Sequence, residues 1–180
     1  MNQLAQQIEY KDYVREVDNF PRQDITFYDI APLIGNGEAF SGLIKNISEP
    51  LKDKIDKVIG FDARGFLFAG AIAVELGVGL VMLRKPGKLP GSTLQTSYDL
   101  EYGSNSLEIQ DDAIKIGERV VMIDDIIATG GTALAGIGLV KECGADVVEF
   151  CSVIDLTDLK GSDKIRQTGV PVRSIIEIKA

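Results

Sequence analysis

Val120-Val121-Met122-Ile123-Asp124-Asp125-Ile126-Ile127-Ala128-Thr129-Gly130-Gly131-Thr132 decides how this chain is read. Its first four residues run together without alternating in polarity, the pattern of a strand buried on both faces and hence of a parallel sheet. An acidic pair stands at the carboxyl end of that run. A glycine turn follows, then a helix predicted from about Thr132 to Cys143 and closed by Gly144. In open α/β sheets ligands bind beyond the carboxyl ends of the strands. Glycines let a turn fold tightly, so that successive N–H groups face one anion. The helix N-terminus adds partial positive charge and unsatisfied donors, and the hydroxyls of Thr129 and Thr132 can donate further. Asp124 and Asp125 would repel a phosphate, but they suit the hydroxyls of an attached sugar. The stretch therefore describes a sugar phosphate. Thr-Gly-Gly-Thr alone is no more than a strand–helix turn; the order of strand, acid pair, turn and helix carries the reading.

Outward from this stretch the same alternation recurs. Residues 57–61 form a short apolar run, followed by Asp62-Ala63-Arg64-Gly65, a helix from Phe66 to Leu76 stopped by Gly77, and a second buried strand over 80–83. This is a β-α-β unit, again favouring a parallel sheet. Residues 147–154 read as another strand, and 174–178 as a final edge strand. Between the two units lies Arg84-Lys85-Pro86-Gly87-Lys88-Leu89-Pro90-Gly91-Ser92-Thr93, a long loop of the kind often used as a lid. The expectation is one α/β domain over 1–180, with a central, mostly parallel sheet flanked by helices. A small N-terminal hood occupies about 1–35, and a mobile loop about 86–103.

Composition narrows the chemistry. The 180 residues carry 19 Lys and Arg against 27 Asp and Glu, a formal charge of −8, which disfavours a nucleic-acid partner. No stretch approaches the roughly 20 apolar residues of a membrane span, and the N-terminus lacks a secretory pattern. A cytoplasmic location is expected, with no membrane partner. Histidine is absent, so Ser-His-Asp and Cys-His nucleophile systems are excluded, as are histidine metal sites. Cys143 and Cys151 read as buried free thiols. Competing nucleotide motifs fail: no Lys-Ser or Lys-Thr pair exists for a P-loop, and Gly136-Ile137-Gly138 lies inside a helix without a third glycine.

The Asp124-to-Thr132 stretch resembles the signature by which type I phosphoribosyltransferases bind 5-phosphoribosyl-1-pyrophosphate (PRPP). That resemblance implies a parallel sheet of about five strands, a hood and a mobile loop. It implies that Asp124 and Asp125 hold the ribose hydroxyls while Ala128, Thr129, Gly130, Gly131 and Thr132 bind the 5-phosphate. By the same likeness the loop holding Ala63 and Arg64 binds pyrophosphate through its backbone and arginine. Arg84, Lys85 and Lys88 concentrate three more cations beside it in an otherwise acidic chain, where the plainer alternative is a solvated basic cluster. Magnesium is the implied cofactor, held mainly by substrate oxygens and water, since the chain shows no dedicated metal cage.

More of the chain is similar to the adenine phosphoribosyltransferases in particular. The matching stretches are Phe61-Asp62-Ala63-Arg64-Gly65-Phe66-Leu67-Phe68, Leu83 through the 84–91 loop, Ser97-Tyr98-Asp99-Leu100-Glu101-Tyr102-Gly103, Leu107-Glu108-Ile109-Gln110 and Leu156-Thr157-Asp158-Leu159-Lys160-Gly161. The implied partners are adenine, PRPP, AMP and pyrophosphate, in purine salvage. Glu101 is the implied acid–base residue and Tyr102 the residue that closes the loop, against plainer readings as a loop carboxylate and a packing aromatic. Phe27 would stack on adenine with the backbone around Thr26 reading its edge, the alternative for Phe27 being a core role; Ile126 would add an apolar wall. A homodimer is implied as well. Gln23-Asp24 and Tyr28 depart from the family, which often carries Pro-Gly and Arg there. The alternatives are an enzyme for hypoxanthine, guanine or xanthine, and a non-enzymatic PRPP sensor.

Overall fold

Apolar runs at 57–61, 79–83, 119–127, 146–156 and 172–178 become the five strands of one all-parallel sheet. The computed structural model describes residues 8–100 and 103–179, with the side chains of 97–105 outside that description. The strands are β3 (Lys57–Phe61), β4 (Gly79–Leu83), β7 (Arg119–Ile127), β8 (Asp146–Leu156) and β9 (Val172–Ile178), in the order β4-β3-β7-β8-β9. The type I phosphoribosyltransferase architecture expected from the sequence is the one found. The chain steps from β3 outward to one edge, then returns to β7 and steps to the other, so the order reverses between β3 and β7. That is where a doubly wound sheet opens a crevice for ligand.

Helices cover both faces. Alternate strand residues point to opposite sides: a Cβ on Gly60 would meet Ala69 of α3 (Gly65–Leu76), while the Phe61 ring lies against Gly136 of α4 (Gly131–Glu142). Gly77 and Gly144 follow these helices with φ of 68° and 78°. The α4 side encloses a hydrophobic core that includes Ile59, Phe61, Val120, Met122, Leu139 and Phe150. A short helix, α5 (Gly161–Arg166), joins β8 to β9. Cys151 is buried as expected, but Cys143 is only partly so; both are free.

Two differences from the sequence reading have physical causes. Thr93–Leu100 is a strand (β5), paired antiparallel with β6 (Gly103–Gln110), where a loop was expected. Its Thr-Leu-Gln-Thr-Ser composition gives almost no apolar alternation, and most of its pairing partners lie on a strand that is itself polar. The second difference is β7, which runs on past the acid pair to Ile127 because the long β8 continues the ladder, with Ile126 opposite Ile154 and Ile127 opposite Asp155.

The chain divides into two compact units, parted between Asn46 and Ile47. The first pairs β1 (Arg15–Asp18) with β2 (Thr26–Asp29), followed by α1 (Ala31–Gly35) and most of α2 (Gly37–Ser48), whose last two residues fall in the second. Asn36 caps α2 through Oδ1, which accepts from the Ala39 N–H at 2.9 Å. Tyr28 is buried within β2. Asp24 takes φ 65°, the left-handed conformation that glycine adopts freely, and its N–H donates to Asn19 Oδ1 at 3.1 Å. The departure at this position therefore demands a glycine-like backbone from a residue with a Cβ. Asp24→Gly is expected to leave stability unchanged or raise it by up to about 1 kcal/mol. Urea unfolding checks this, and a clear destabilisation would count against it.

Candidate active site

The extension of β7 changes how its two acids are presented. Neighbouring residues of a strand diverge, and here they do. Asp124 lines a cavity of about 170 Å³ together with Ile126 and the turn 128–132. Asp125 is 5% exposed, and its Oδ2 lies 2.6 Å from the Arg64 guanidinium. Its own N–H donates to Asp124 Oδ1 at 2.9 Å. A buried carboxylate needs such a partner. Burial and the neighbouring Asp125 charge push the Asp124 carboxyl well above its ordinary range. Burial also raises Asp125, against the pull of Arg64.

The turn itself is built as a cradle. Gly130 has φ 83° and stands just before α4, whose first residue is Gly131. A twelve-residue helix thus begins at the cavity wall, with its first N–H groups unused by the helix. An anion of phosphate size is suited by this combination of donors and partial positive charge.

The segment 62–65 leaves β3 directly beside the acids. The Asp62–Ala63 peptide is cis, and Arg64 stands at the residue just before α3 without capping it through its side chain. A Cβ on Gly65 would lie 2.9 Å from Asp124 Oδ1 and 3.0 Å from the Ile123 carbonyl oxygen, so only glycine lets this loop approach the acid so closely. Asp62 in turn accepts from Arg84 Nε at 3.0 Å. The same guanidinium donates to the Lys88 carbonyl at 3.3 Å and lies 5.9 Å from the centre of the Phe66 ring. Arg64 and Arg84 are therefore each tied to an acid, whereas Lys85 and Lys88 are exposed.

Glu108 is a residue that the sequence reading passed over except as part of a matching stretch. It is only 4% exposed. Its backbone exchanges two hydrogen bonds with Arg84, at 3.1 and 2.8 Å, and its Oε1 accepts the N–H groups of Lys88 and Leu89 at 2.8 Å each. Burial alone would raise its pKa; the N–H groups of Leu89, Lys88 and Gly87, with the Arg84 charge, outweigh burial and hold it below the usual range. The basic loop is thus pinned by a buried acid, a link invisible in the sequence because it joins residues twenty apart. A depressed folded-state pKa contributes stability that is present above the unfolded value and lost as pH falls through the folded one. Glu108→Ala should speed amide exchange at Lys88 and Leu89 by at least about tenfold near neutral pH. In the unaltered chain the same amides should lose protection only in acid, below the ordinary glutamate range. Unchanged exchange in the variant would remove Glu108 as the anchor.

Of the remaining expected residues, Ala63 lies in the 62–65 segment. Thr26 and Phe27 belong to the first unit, on β2; Thr26 Oγ1 donates to Asp18 Oδ1 at 3.0 Å, and Phe27 meets Phe20 edge-on at 5.2 Å. Glu101 and Tyr102 lie outside the described residues. Among the described residues no group of three or more His, Cys, Asp or Glu gathers to hold a metal, and no helix is long and apolar enough to cross a membrane.

Residues 35–179 match the family model for the phosphoribosyl transferase domain. Fold and crevice together define the class as a type I phosphoribosyltransferase. Among curated proteins, the adenine phosphoribosyltransferase of Beijerinckia indica is 45% identical over 96% of this chain and 97% of its own length. One from Clostridium botulinum is 50% identical over 88% of this chain and 92% of its own. Among solved structures, adenine phosphoribosyltransferase from Thermoanaerobacter pseudethanolicus superposes with a TM-score of 0.89 at 42% identity, covering 94% and 98% of the two chains. The Saccharomyces cerevisiae enzyme, solved with an imino-altritol bisphosphate and adenine, gives 0.87 at 41% identity, covering 93% and 96%. The chain belongs to the adenine phosphoribosyltransferase family.

Proposed function

We propose that this chain transfers the 5-phosphoribosyl group of PRPP to adenine, giving AMP and pyrophosphate in purine salvage. The observation that carries this is the cavity at the carboxyl end of β7, where the half-buried Asp124 meets a helix-opening glycine turn, in a chain so similar to adenine phosphoribosyltransferases along nearly all its length. Asp124 and Asp125 take the ribose diol, and the turn 128–132 takes the 5-phosphate.

The reaction is a displacement at the anomeric carbon, in which the bond to pyrophosphate breaks as that to adenine N9 forms. Charge gathers on the departing pyrophosphate and must be met by fixed positive groups. Arg64 supplies one by exchanging Asp125 for the anion, with Ala63 contributing backbone; Arg84, Lys85 and Lys88 supply the rest. Arg64 thus balances the acid until substrate arrives. The carboxylates of Asp124 and Asp125 are oxygen donors suited to magnesium, yet two acids, one of them ion-paired, fit a cation that arrives on substrate oxygens rather than one caged by protein. When bound, magnesium supplies Lewis-acid stabilisation of the leaving group.

In the first unit Phe27 stacks on adenine and Thr26 reads its edge through the backbone, with Ile126 as an apolar wall. Glu101 receives or relays the N9 proton, and Tyr102 closes over the base. Closure of the segment within about 86–103 excludes water that would hydrolyse PRPP, while about 1–35 serves as the hood. The chain works as a homodimer in the cytoplasm; exposed Leu67 and Val74 on α3 and Leu80 and Met82 on β4 favour self-association. Incubation with PRPP, magnesium and each purine base, followed by identification of the nucleotide, tests the reading. AMP from adenine alone is expected. A nucleotide formed only from hypoxanthine, guanine or xanthine, or none at all, would overturn it.

A further inference from the structure

The phosphate turn is backed by a second piece of chain. A Cβ on Gly161 would fall 2.2 Å from the Ala128 carbonyl oxygen and 2.7 Å from the Gly130 nitrogen, and one on Gly130 would fall 2.8 Å from the Gly161 carbonyl oxygen. Two backbones therefore meet where neither tolerates a side chain. Three residues on, Lys164 reaches back and donates from Nζ to the Thr129 carbonyl at 3.1 Å. A peptide unit is planar with its C=O and the following N–H on opposite sides, so holding the Thr129 carbonyl also fixes the direction of the Gly130 N–H. The turn 128–132 itself contains no Lys or Arg, and the ammonium of Lys164 supplies positive charge at its edge.

We propose that Lys164 is a positioning residue for the 5-phosphate of ribose phosphates, acting through the Thr129 carbonyl, with Gly161 as the seat that lets the two segments touch. The proposal rests on the reading of 128–132 as the phosphate site, and extends it to a residue outside the motif. Lys164 holds the turn in its anion-accepting form and lowers the cost of bringing a dianion beside Asp124. Arg64 of the pyrophosphate loop pairs with Asp125, and neither residue lines the cavity of the turn, so that loop's ligand should not sense the change.

Binding of ribose 5-phosphate, AMP and pyrophosphate is measured by calorimetry for the full chain and for Lys164→Met, Lys164→Arg and Thr132→Ala. Because Lys164 is exposed, its contribution is discounted for solvent. Lys164→Met is expected to weaken ribose 5-phosphate and AMP about three- to tenfold and raise the KM for PRPP alike, with kcat and pyrophosphate binding within about twofold; Lys164→Arg should recover most of the loss. Gly161→Ala should reproduce the loss if it folds, but Lys164→Met decides. Unchanged ribose 5-phosphate binding in Lys164→Met overturns the proposal, as does an equal weakening of pyrophosphate. The Thr132→Ala arm then separates the causes. If it alone weakens ribose 5-phosphate, Lys164 is a bystander at a true phosphate site; if it too is silent, the turn is not that site.

Discussion

Asp124→Asn combined with Asp125→Asn is expected to cut turnover by at least about a hundredfold while leaving the fold intact. Hydrogen bonds to charged groups contribute about 1.5–3 kcal/mol each. Losing one such bond from each acid to the ribose diol lowers kcat/KM by roughly a hundred- to ten-thousandfold. Stability should move the other way for Asp124 alone. Its folded-state pKa is raised by burial and by Asp125, so its contribution to stability is full below the unfolded value and is lost as pH rises through the folded one. An asparagine never acquires the buried charge. Asp124→Asn should therefore melt at or above the temperature of the unaltered chain near neutral pH, and the difference should shrink in acid. Asp125→Asn behaves otherwise, because it strips Arg64 of its 2.6 Å partner. A site kept less stable than it could be is what a binding role for these acids requires. Undiminished activity in the double variant would refute their assignment to the ribose.

Glu101→Gln is the second large effect. Neutral adenine carries a proton on N9 that must leave as N9 attacks, and a chain without histidine must find another group to receive it. A carboxylate can accept or relay that proton; an amide of the same shape cannot. Positioned proton transfer contributes about 100- to 10,000-fold, so the single-turnover rate should fall within that range. PRPP binding, which the proposed function assigns to the acids and the turn, should stay within about twofold. An unchanged single-turnover rate would remove Glu101 from the chemistry, and a parallel loss of PRPP affinity would make it a structural residue instead.

The parts of the molecule that could be read early are those encoded in contiguous residues. The parallel sheet was legible because strands buried on both faces show unbroken apolar runs, as at 57–61 and 120–123. The glycine turn between β7 and α4 was legible because strand, acids, glycines and helix follow one another within thirteen residues. By contrast β5 left almost no trace, its pairing being set by β6 rather than by its own alternation. The divergence of Asp124 and Asp125 likewise has no local signal, since it depends on whether β8 is long enough to carry β7 beyond the pair.

Sequence alone determined the fold class and the succession of strand, acid pair, glycine turn and helix, because each rests on local pattern and on backbone sterics. Tertiary structure alone decided which acid each arginine holds, that Glu108 grips the basic loop from twenty residues away, and that Gly161 and Lys164 brace the turn. Pairings of this kind have no periodicity for a sequence to display. They arise only when burial brings distant charges and backbones together and obliges each to find a partner.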